Sequence, residues 1–392
     1  MSPPSEGKGF SPELRASIYH FMVFAATGVS SVYFAIWLSN RGISPDETGI
    51  ITAVPVLVML AINVLVGRLA DKASDWRIVI IILSMIGGAI PIGMFFVSGF
   101  WGILLVWTLC VVPAAALVPV IDAATLRMTQ RRGTNFGVVR AWGTVGYTVT
   151  TALAGPVIGV FGESAFLPLF LAFSLLRALI SLQLPRFRAP LQTTPEPARP
   201  VARRLRDALK PWFVLPIVGL GILYSTHGVL ASFAALLWKQ QGIPEGIIGP
   251  LIAVGAAAEA TMMFVWQKLN LKVSARHLII FAALVAVVRW SLMAFSPPVW
   301  LLVILQLLHS VTFAVGYLGG IYFIANWTDE DIAAEAQGFS YVVQQGMTVV
   351  ALLGFGWFAG QFGAGAWLAL GAYTFVGAVL VFISLRLRPA HT

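Results

Sequence analysis

The chain has 392 residues, of which 58% are hydrophobic and 10% are charged, and its mean hydropathy is +0.87. Soluble domains average about 45–50% apolar and about 25% charged residues, so this composition excludes a soluble fold. The formal net charge of +9 would suit a nucleic-acid-binding protein, but the basic residues lie between long apolar runs, as membrane-orientation signals do. We therefore expect an all-α membrane protein that contacts the lipid bilayer and no nucleic acid.

A membrane-spanning helix needs about 20 apolar residues, and apolar runs of this kind are predicted as twelve transmembrane helices at 14–38, 47–67, 77–98, 102–126, 135–160, 164–185, 212–237, 247–267, 276–296, 299–325, 336–360 and 365–386. The predicted organisation is an N-terminal tail (1–13), a six-helix bundle (14–185), a linker (186–211), a second six-helix bundle (212–386) and a C-terminal tail (387–392).

The distribution of Lys and Arg predicts the orientation. Of the 25 basic residues, only Arg41 and Lys239 lie in odd-numbered connections between spans. Because cytoplasmic connections carry the excess of Lys and Arg, both tails and the basic linker are predicted to be cytoplasmic. Arg177, near the end of span six, is expected to extend to that same face. We expect a multi-pass protein of a bacterial inner membrane.

The two halves of the sequence contain a repeat. Residue types recur about 200 positions apart, with Gly42, Ile43, Gly49, Ala53 and Val54 in the first half matching Gly242, Ile243, Gly249, Ala253 and Val254 in the second. Internal repeats joined by a linker are typical of secondary transporters, whose halves rock around a central site. The repeat therefore predicts alternating access.

The connection between spans two and three contains Gly67, Asp71, Lys72 and Arg77. This pattern resembles the loop signature of the major facilitator superfamily, although Ser74 occupies the position of its second glycine. The resemblance implies two six-helix bundles with both termini cytoplasmic, and a conformational latch formed by these four residues. A charge pair beside a helix dipole can break when the halves tilt.

Ionisable residues within spans are costly unless they face a bundle interior or a partner, so they mark candidate functional positions. The ones without an obvious position at a span end are Asp122, Arg140, Glu259, Arg289, His227 and His309. Residues equidistant from a tight turn lie at similar depth. Asp122 is therefore predicted to be level with Arg140 and to pair with it, and Glu259, Arg289 and His309 are predicted near mid-membrane.

These spacings resemble lactose permease and its relatives. In that family an acidic residue on span four and an arginine on span five bind the substrate, and an aromatic residue stacks on it. Asp122, Arg140 and Tyr147 occupy the matching positions. The resemblance implies a substrate site on the N-terminal bundle.

Arg289 and His309 match an arginine and a histidine of the same family's proton-coupling cluster. The family's proton-carrying glutamate is replaced by Thr312 and its lysine by Gln306. Glu259 on span eight is then the expected replacement carrier, although whether Glu259 or His309 is the primary carrier stays open.

Several segments resemble the phenylpropionate permease family more closely, namely Phe136–Gly143, Tyr224–His227, Gly255–Glu259, Val288–Trp290 and Leu308–Phe313. This resemblance implies proton symport of an aromatic carboxylate.

The residue chemistry gives the same interpretation. Arg140 can clamp a carboxylate with two parallel hydrogen bonds, and Tyr147 can pack against a ring. Glu259 beside Arg289 would form a carboxyl group sensitive to burial and charge. His227, Tyr341 and Gln345 complete the predicted substrate site, since the last two lie on a polar stripe of span eleven.

The predicted function is therefore import of a small aromatic carboxylate with a proton. A sugar or nucleoside symporter, a drug/proton antiporter and a membrane sensor are the alternatives. Static roles also stay open: Asp122 with Arg140 as a structural ion pair, Glu259 as a hydrogen-bond acceptor, and His227 as a packed residue. The sequence has no nucleotide or zinc motif and one cysteine, Cys110, so we expect no enzyme activity, cofactor or metal. A monomer is expected.

Overall fold

The computed structural model describes residues 10–187, 209–269, 272–328 and 330–387. Within these ranges the chain is helical and contains no strand. The long helices are α1 (Pro12–Ser39), α2 (Pro45–Lys72), α3 (Trp76–Ala89), α4 (Gly99–Arg132), α5 (Phe136–Phe161), α6 (Phe166–Ser181), α7 (Pro211–Gln240), α8 (Glu245–Leu269), α9 (Ala275–Met293), α10 (Val299–Trp327), α11 (Glu330–Phe362) and α12 (Ala366–Arg386). A π-helical segment, Ser310–Val315, lies inside α10. Most of the predicted linker, the first nine residues and the last five lie outside the described residues.

Eleven segments of the described residues are long and apolar enough to cross a membrane. One of them, Ala336–Arg386, contains both α12 and most of α11. Large apolar side chains are exposed on the outside of the bundle, for example Phe264 at 79% and Val160 at 78%. Such a surface is stable against lipid and not against water. The predicted all-α membrane fold is confirmed.

Helix boundaries follow local capping chemistry. At α2, the Ser44 side chain accepts from the Glu47 backbone N–H, while the Glu47 carboxylate accepts from the Ser44 N–H at 2.9 Å. This reciprocal capping box satisfies two otherwise unpaired donors. Ser11 and Asn135 cap α1 and α5 in the simpler way, with one side-chain oxygen each.

The sequence repeat corresponds to the same kind of helix C-terminal cap in each half. Gly42 and Gly242 both adopt positive φ, at 77° and 92°. The N–H of Ile43 returns to the Leu38 carbonyl at 3.1 Å, and in the second half Ile243 bonds the Trp238 carbonyl at 2.9 Å. This left-handed cap needs glycine, because a Cβ is strained at that φ. The repeat therefore ends α1 and α7 in the same way.

We call α1–α6 the N-terminal half and α7–α12 the C-terminal half. We call the face with Arg77, Arg131 and Arg132 the basic face, and the other end the opposite face. The halves pack on each other mainly through α2 with α11, α5 with α8, and α1 with α7.

The closest approaches between the halves lie toward the opposite face and use glycine. A Cβ on Gly49 would meet the Leu352 carbonyl oxygen at 2.7 Å and the Gly356 Cα at 3.3 Å. Gly249, the repeat partner of Gly49, packs in the same manner on the backbone of Thr151 and Gly155 in α5. The absence of side chains lets the helix backbones touch, so the repeat-related glycines close the halves together at this face.

The predicted position of Arg177 is wrong. Its side chain does not extend to the basic face but is only 3% exposed, and it donates to the Gly87 carbonyl in α3 at 2.9 Å. A buried guanidinium that finds a backbone acceptor avoids the cost of an unsatisfied donor. Arg177 therefore ties α6 to α3.

Candidate functional site

A cavity of about 640 Å³ lies between the two halves. Its lining includes polar and aromatic side chains of six helices: Phe24, Thr27, Arg140, Thr144, Tyr147, Tyr224, His227, Glu259, Gln306, His309, Phe313, Tyr317, Gln345 and Thr348. Small-molecule sites typically measure about 300–1,000 Å³ and combine apolar walls with a few polar groups. The cavity has the size and the composition of such a site.

The N-terminal half contributes an ion pair to this region. Arg140 Nε lies 3.1 Å from Asp122 Oδ1, as predicted from the spacing of the two residues. The guanidinium carbon lies 4.4 Å from the centre of the Phe24 ring, a distance at which a cation is attracted to the ring face. Gly143 makes room for both groups, because a Cβ there would lie 2.8 Å from Arg140 Nη1. Asp122 is 33% exposed but is not among the lining residues.

Tyr147 lines the cavity about two helical turns beyond Arg140 in α5. Its hydroxyl lies 3.2 Å from Ser31 Oγ. This hydrogen bond restricts the orientation of a ring that lines the cavity. Trp142 is 46% exposed and lies outside the lining.

Sequence reasoning missed His20. It lies on α1 with no exposed surface, its Nε2 is 3.2 Å from Thr125 Oγ1, and its Nδ1 is 3.9 Å from Asp122 Oδ1. The signal available was an ionisable residue inside an apolar run. Its partner on α4 is more than one hundred positions away, so no local spacing relates the two.

The C-terminal half contributes a buried polar cluster. His309 Nε2 lies 3.4 Å from Glu259 Oε2, and His309 Nδ1 lies 3.4 Å from Arg289 Nη1. Glu259 was expected beside Arg289. Instead the His309 ring lies between them, because α10 places it between α8 and α9. The three residues share one level of the bundle, but the carboxylate pairs with the histidine.

The hydrogen-bond directions in this cluster follow from groups that can only donate or only accept. Arg289 can only donate, so His309 Nδ1 accepts and its Nε2–H faces Glu259. The Leu223 carbonyl can only accept, so His227 Nδ1, 3.1 Å away, donates to it. His227 Nε2, 3.0 Å from Thr312 Oγ1, is then the acceptor of the threonine proton. These assignments make one continuous directed network.

Arg289 has no carboxylate partner within the described part of the chain. Its side chain has no exposed surface, and its guanidinium donates to Gln306 Oε1 at 2.5 Å and to Thr312 Oγ1 at 2.9 Å. The Trp290 ring centre lies 4.6 Å from the guanidinium carbon. Neutral dipoles and a ring thus hold this buried cation close to a cavity that contains Gln306 and His309.

Of the other three predicted substrate residues, two line the cavity and one does not. His227, only 7% exposed, and Gln345 both line the cavity. Tyr341 is 41% exposed and lies outside the described lining.

The four predicted latch residues lie at the basic face, at the end of α2 and the start of α3. Arg77 donates to the Leu182 carbonyl after α6 at 2.6 Å, and Lys72 is exposed. A Cβ on Gly67 would meet no neighbouring atom within 4 Å. The side chain of Asp71 lies outside the described residues. Arg77 thus joins elements of the N-terminal half.

A second ion cluster, at the opposite face, was not predicted. Lys239 at the end of α7 pairs with Glu245 at 2.8 Å and with Glu163, which precedes α6. The hydroxyl of Tyr33 donates to the Glu245 carbonyl at 2.7 Å. The Lys239–Glu163 pair and the Tyr33 hydrogen bond connect the two halves at the face where the glycine contacts also lie.

Comparison with known proteins places the chain among transporters. The MFS_1 like family matches residues 14–375. The probable 3-phenylpropionic acid transporter of Escherichia coli strain K12 is 25% identical over 340 residues, 84% of this chain and 87% of that protein. The maltose permease of Geobacillus stearothermophilus is 25% identical over 382 residues, 94% of this chain and 90% of that protein.

Solved structures share the fold at low identity. A mutant of the nucleoside transporter NupG aligns with a TM-score of 0.82 at 16% identity, over 97% of this chain and all of that chain. A bacterial homologue of the lysosomal transporter Spinster, in an inward-facing conformation, aligns with a TM-score of 0.77 at 15% identity, over 97% and 98% of the two chains.

Proposed function

Because the chain belongs to the MFS_1 like family of the major facilitator superfamily, a family of transporters and not of enzymes, we propose that it imports a small aromatic carboxylate together with a proton. The observation that carries this proposal is one cavity faced by a clamp-like arginine, several aromatic rings and a carboxyl group. Arg140 and Tyr147 face it from the N-terminal half, and Glu259 faces it from the other half.

Arg140 supports a carboxylate as substrate. Its guanidinium offers parallel N–H donors that match the two oxygens of a carboxylate, and it borders the cavity. Asp122 holds the guanidinium in place while the site is empty. Phe24, Tyr147 and Phe313 line the same cavity, and a planar substrate ring can pack against them, since aromatic rings are attracted to one another at offset or edge-to-face geometry.

Glu259 supports proton coupling in the proposed transport. It is the only carboxylate among the described lining residues, its side chain is 30% exposed, and it touches His309. A carboxyl group in this position can exchange a proton with cavity water. Protonation weakens its attraction for the His309 Nε2–H, so the proton changes a contact between α8 and α10. His309 then transmits the change to Arg289.

The proposed transport cycle is alternating access. The halves touch at the opposite face through the glycine contacts and through Lys239 with Glu163. In the alternate state these contacts part and the basic face closes, where Asp71 and its neighbours form the proposed latch. We further propose a monomer in a bacterial inner membrane, with the basic face in the cytoplasm; the bacterial relatives and the Lys/Arg distribution support this.

Uptake into proteoliposomes tests the proposal. The purified protein is reconstituted, and accumulation of labelled 3-phenylpropionate is measured with and without a proton gradient directed inward. We expect accumulation that collapses when a protonophore is added, and competition by unlabelled 3-phenylpropionate but not by maltose or uridine. Accumulation of 3-phenylpropionate that is no greater than in protein-free liposomes would refute the proposal.

A sugar or nucleoside is the second candidate. The similarity to a maltose permease over 94% of the chain favours it, and Asp122 beside Arg140 offers an acceptor next to donors, which suits hydroxyl groups. In the same assay run with labelled maltose or uridine, proton-driven accumulation of either compound without accumulation of 3-phenylpropionate would select this candidate. Drug/proton antiport ranks third, and it predicts lowered accumulation of apolar compounds in cells that express the protein.

A further inference from the structure

His20 is a buried titratable group with one nitrogen unoccupied. Its Nε2 contacts Thr125 Oγ1 at 3.2 Å, while its Nδ1 has no hydrogen-bond partner among the described residues. Asp122 Oδ1 lies 3.9 Å from Nδ1. That distance is too long for a hydrogen bond, but a rotation of the carboxylate would close it. His20 is thus positioned as an alternative partner for the Asp122 carboxylate.

Asp122 cannot serve both partners fully. The same oxygen, Oδ1, lies 3.1 Å from Arg140 Nε, so the arginine holds the carboxylate in the empty site. A substrate carboxylate that takes Arg140 side-on, through Nε and one Nη, displaces Asp122 from this guanidinium. Asp122 would then be a partly buried charge without a partner, which is unfavourable.

We propose that His20 is a second proton-binding site, which takes up a proton at Nδ1 and pairs with Asp122 when a substrate carboxylate occupies Arg140. This inference rests on the role of Arg140 in the proposed function. The proton comes from water and passes through Asp122, which is 33% exposed, because His20 itself has no exposed surface. Neutral imidazole plus a proton gives imidazolium, and no other bond changes.

Charge balance supports this exchange. In the empty site the neutral His20, the Asp122 carboxylate and the Arg140 guanidinium sum to zero. In the loaded site the imidazolium and the substrate carboxylate add one positive and one negative charge, so the sum stays zero. A region removed from bulk water strongly favours the state without net charge. The anion and the proton therefore bind together in the N-terminal half.

Other charges do not compensate His20. Asp122 on α4 lies 3.9 Å from His20, and Arg140 on α5 is paired with Asp122. The neighbouring Tyr19 hydroxyl contacts Ser84, at 2.5 Å, and the guanidinium of Arg177 on α6 contacts Gly87. In the described region, the exchange between Arg140 and His20 is thus the route by which Asp122 keeps a counter-charge.

A substrate-free experiment tests the exchange. Arg140→Gln deprives Asp122 of the guanidinium, as a bound substrate carboxylate would. Protein labelled with ¹⁵N at histidine is then studied by NMR across a range of pH. We expect an imidazolium signal in Arg140→Gln that is absent from wild type at the same pH and disappears in Arg140→Gln/His20→Asn. A neutral His20 in Arg140→Gln at every pH at which the protein is folded would overturn the inference.

A second experiment counts protons on ligand binding. 3-Phenylpropionate is added to detergent-solubilised Glu259→Gln in weak buffer with a pH indicator, so that the Glu259 proton is absent. We expect about one proton taken up per ligand bound, and about none in Glu259→Gln/His20→Asn. Thr125→Val is the control, because it removes the Nε2 contact but leaves the imidazole, and it should keep the uptake.

The two proposals fail in different ways. If 3-phenylpropionate does not bind wild type, the proposed substrate is wrong, and the NMR experiment alone decides the role of His20. If the ligand binds Glu259→Gln with no proton uptake, or with the same uptake when His20 is replaced, the second proton site is wrong and the substrate stands.

Discussion

Gly249→Ala should shift the protein away from the conformation described above. Gly249 lies in the first turns of α8, and the atoms nearest to an added Cβ all belong to the α5 backbone: the Thr151 carbonyl oxygen, Gly155 N at 3.0 Å and Gly155 Cα at 3.2 Å. Backbone atoms cannot rotate away as a side chain can. Because carbon atoms pack favourably at about 3.5–4.0 Å, α5 and α8 must separate by about 0.3–1 Å.

The size of the shift follows from the cost of that overlap. Extra methyl groups in a packed contact cost about 1–3 kcal/mol. The alternate conformation, in which the halves part at the opposite face, does not bear this cost. The ratio of the two conformations should therefore change by about 5- to 150-fold in favour of the alternate one.

Gly246→Ala is the matched control. Gly246 lies one turn earlier in α8, and a Cβ there would meet no atom within 4 Å. Alanine raises helix propensity by up to about 1 kcal/mol in a helix interior, so the control reduces this general effect in the comparison. Any difference between the two variants then reports the contact with α5.

Distances between spin labels measure the shift. Labels at Phe161 and Phe295, which are 71% and 74% exposed at the opposite face, lie in different halves. They should report a longer population in Gly249→Ala and not in Gly246→Ala. Unchanged distances in Gly249→Ala, or equal changes in both variants, would show that the glycine contact does not set the conformational equilibrium.

Three further outcomes are expected. Glu259→Gln/His20→Asn should abolish uphill uptake in proteoliposomes yet retain exchange of 3-phenylpropionate across the membrane, because neither side chain can then bind a proton; surviving uphill transport in this double variant contradicts the two proton roles. Arg140→Lys keeps the charge but loses the paired donors, so the Kd for 3-phenylpropionate measured by calorimetry should rise about 10- to 100-fold, and an unaltered Kd contradicts the clamp. Lys239→Gln breaks a half-exposed pair with Glu163 worth about 0.2–1 kcal/mol, so the spin-label populations should change by less than about 5-fold, and a larger change than in Gly249→Ala would reverse our ranking of the two contacts.

Much of the architecture was predictable because each membrane-spanning helix is one continuous apolar run in the sequence. Each predicted span overlaps one of the described helices, and the recurrence of Gly42 and Gly49 at Gly242 and Gly249 indicated equivalent halves. The pair Asp122 and Arg140 was also predictable, since one tight connection relates their depths. Helix bounds differ by several residues, because α4 and α11 extend past the apolar run into polar turns.

Sequence alone determined which side chains are expensive to bury, since charge and apolar neighbours suffice for that judgement. Only the tertiary structure decided their partners. His309 and not Arg289 touches Glu259, Arg289 rests on neutral groups, and His20 stands next to Asp122. In an α-helix one residue turns the side chain by about 100°, so small rotations and tilts of packed helices choose among such contacts. The spacing of residues within one segment of the sequence therefore does not determine these contacts between helices.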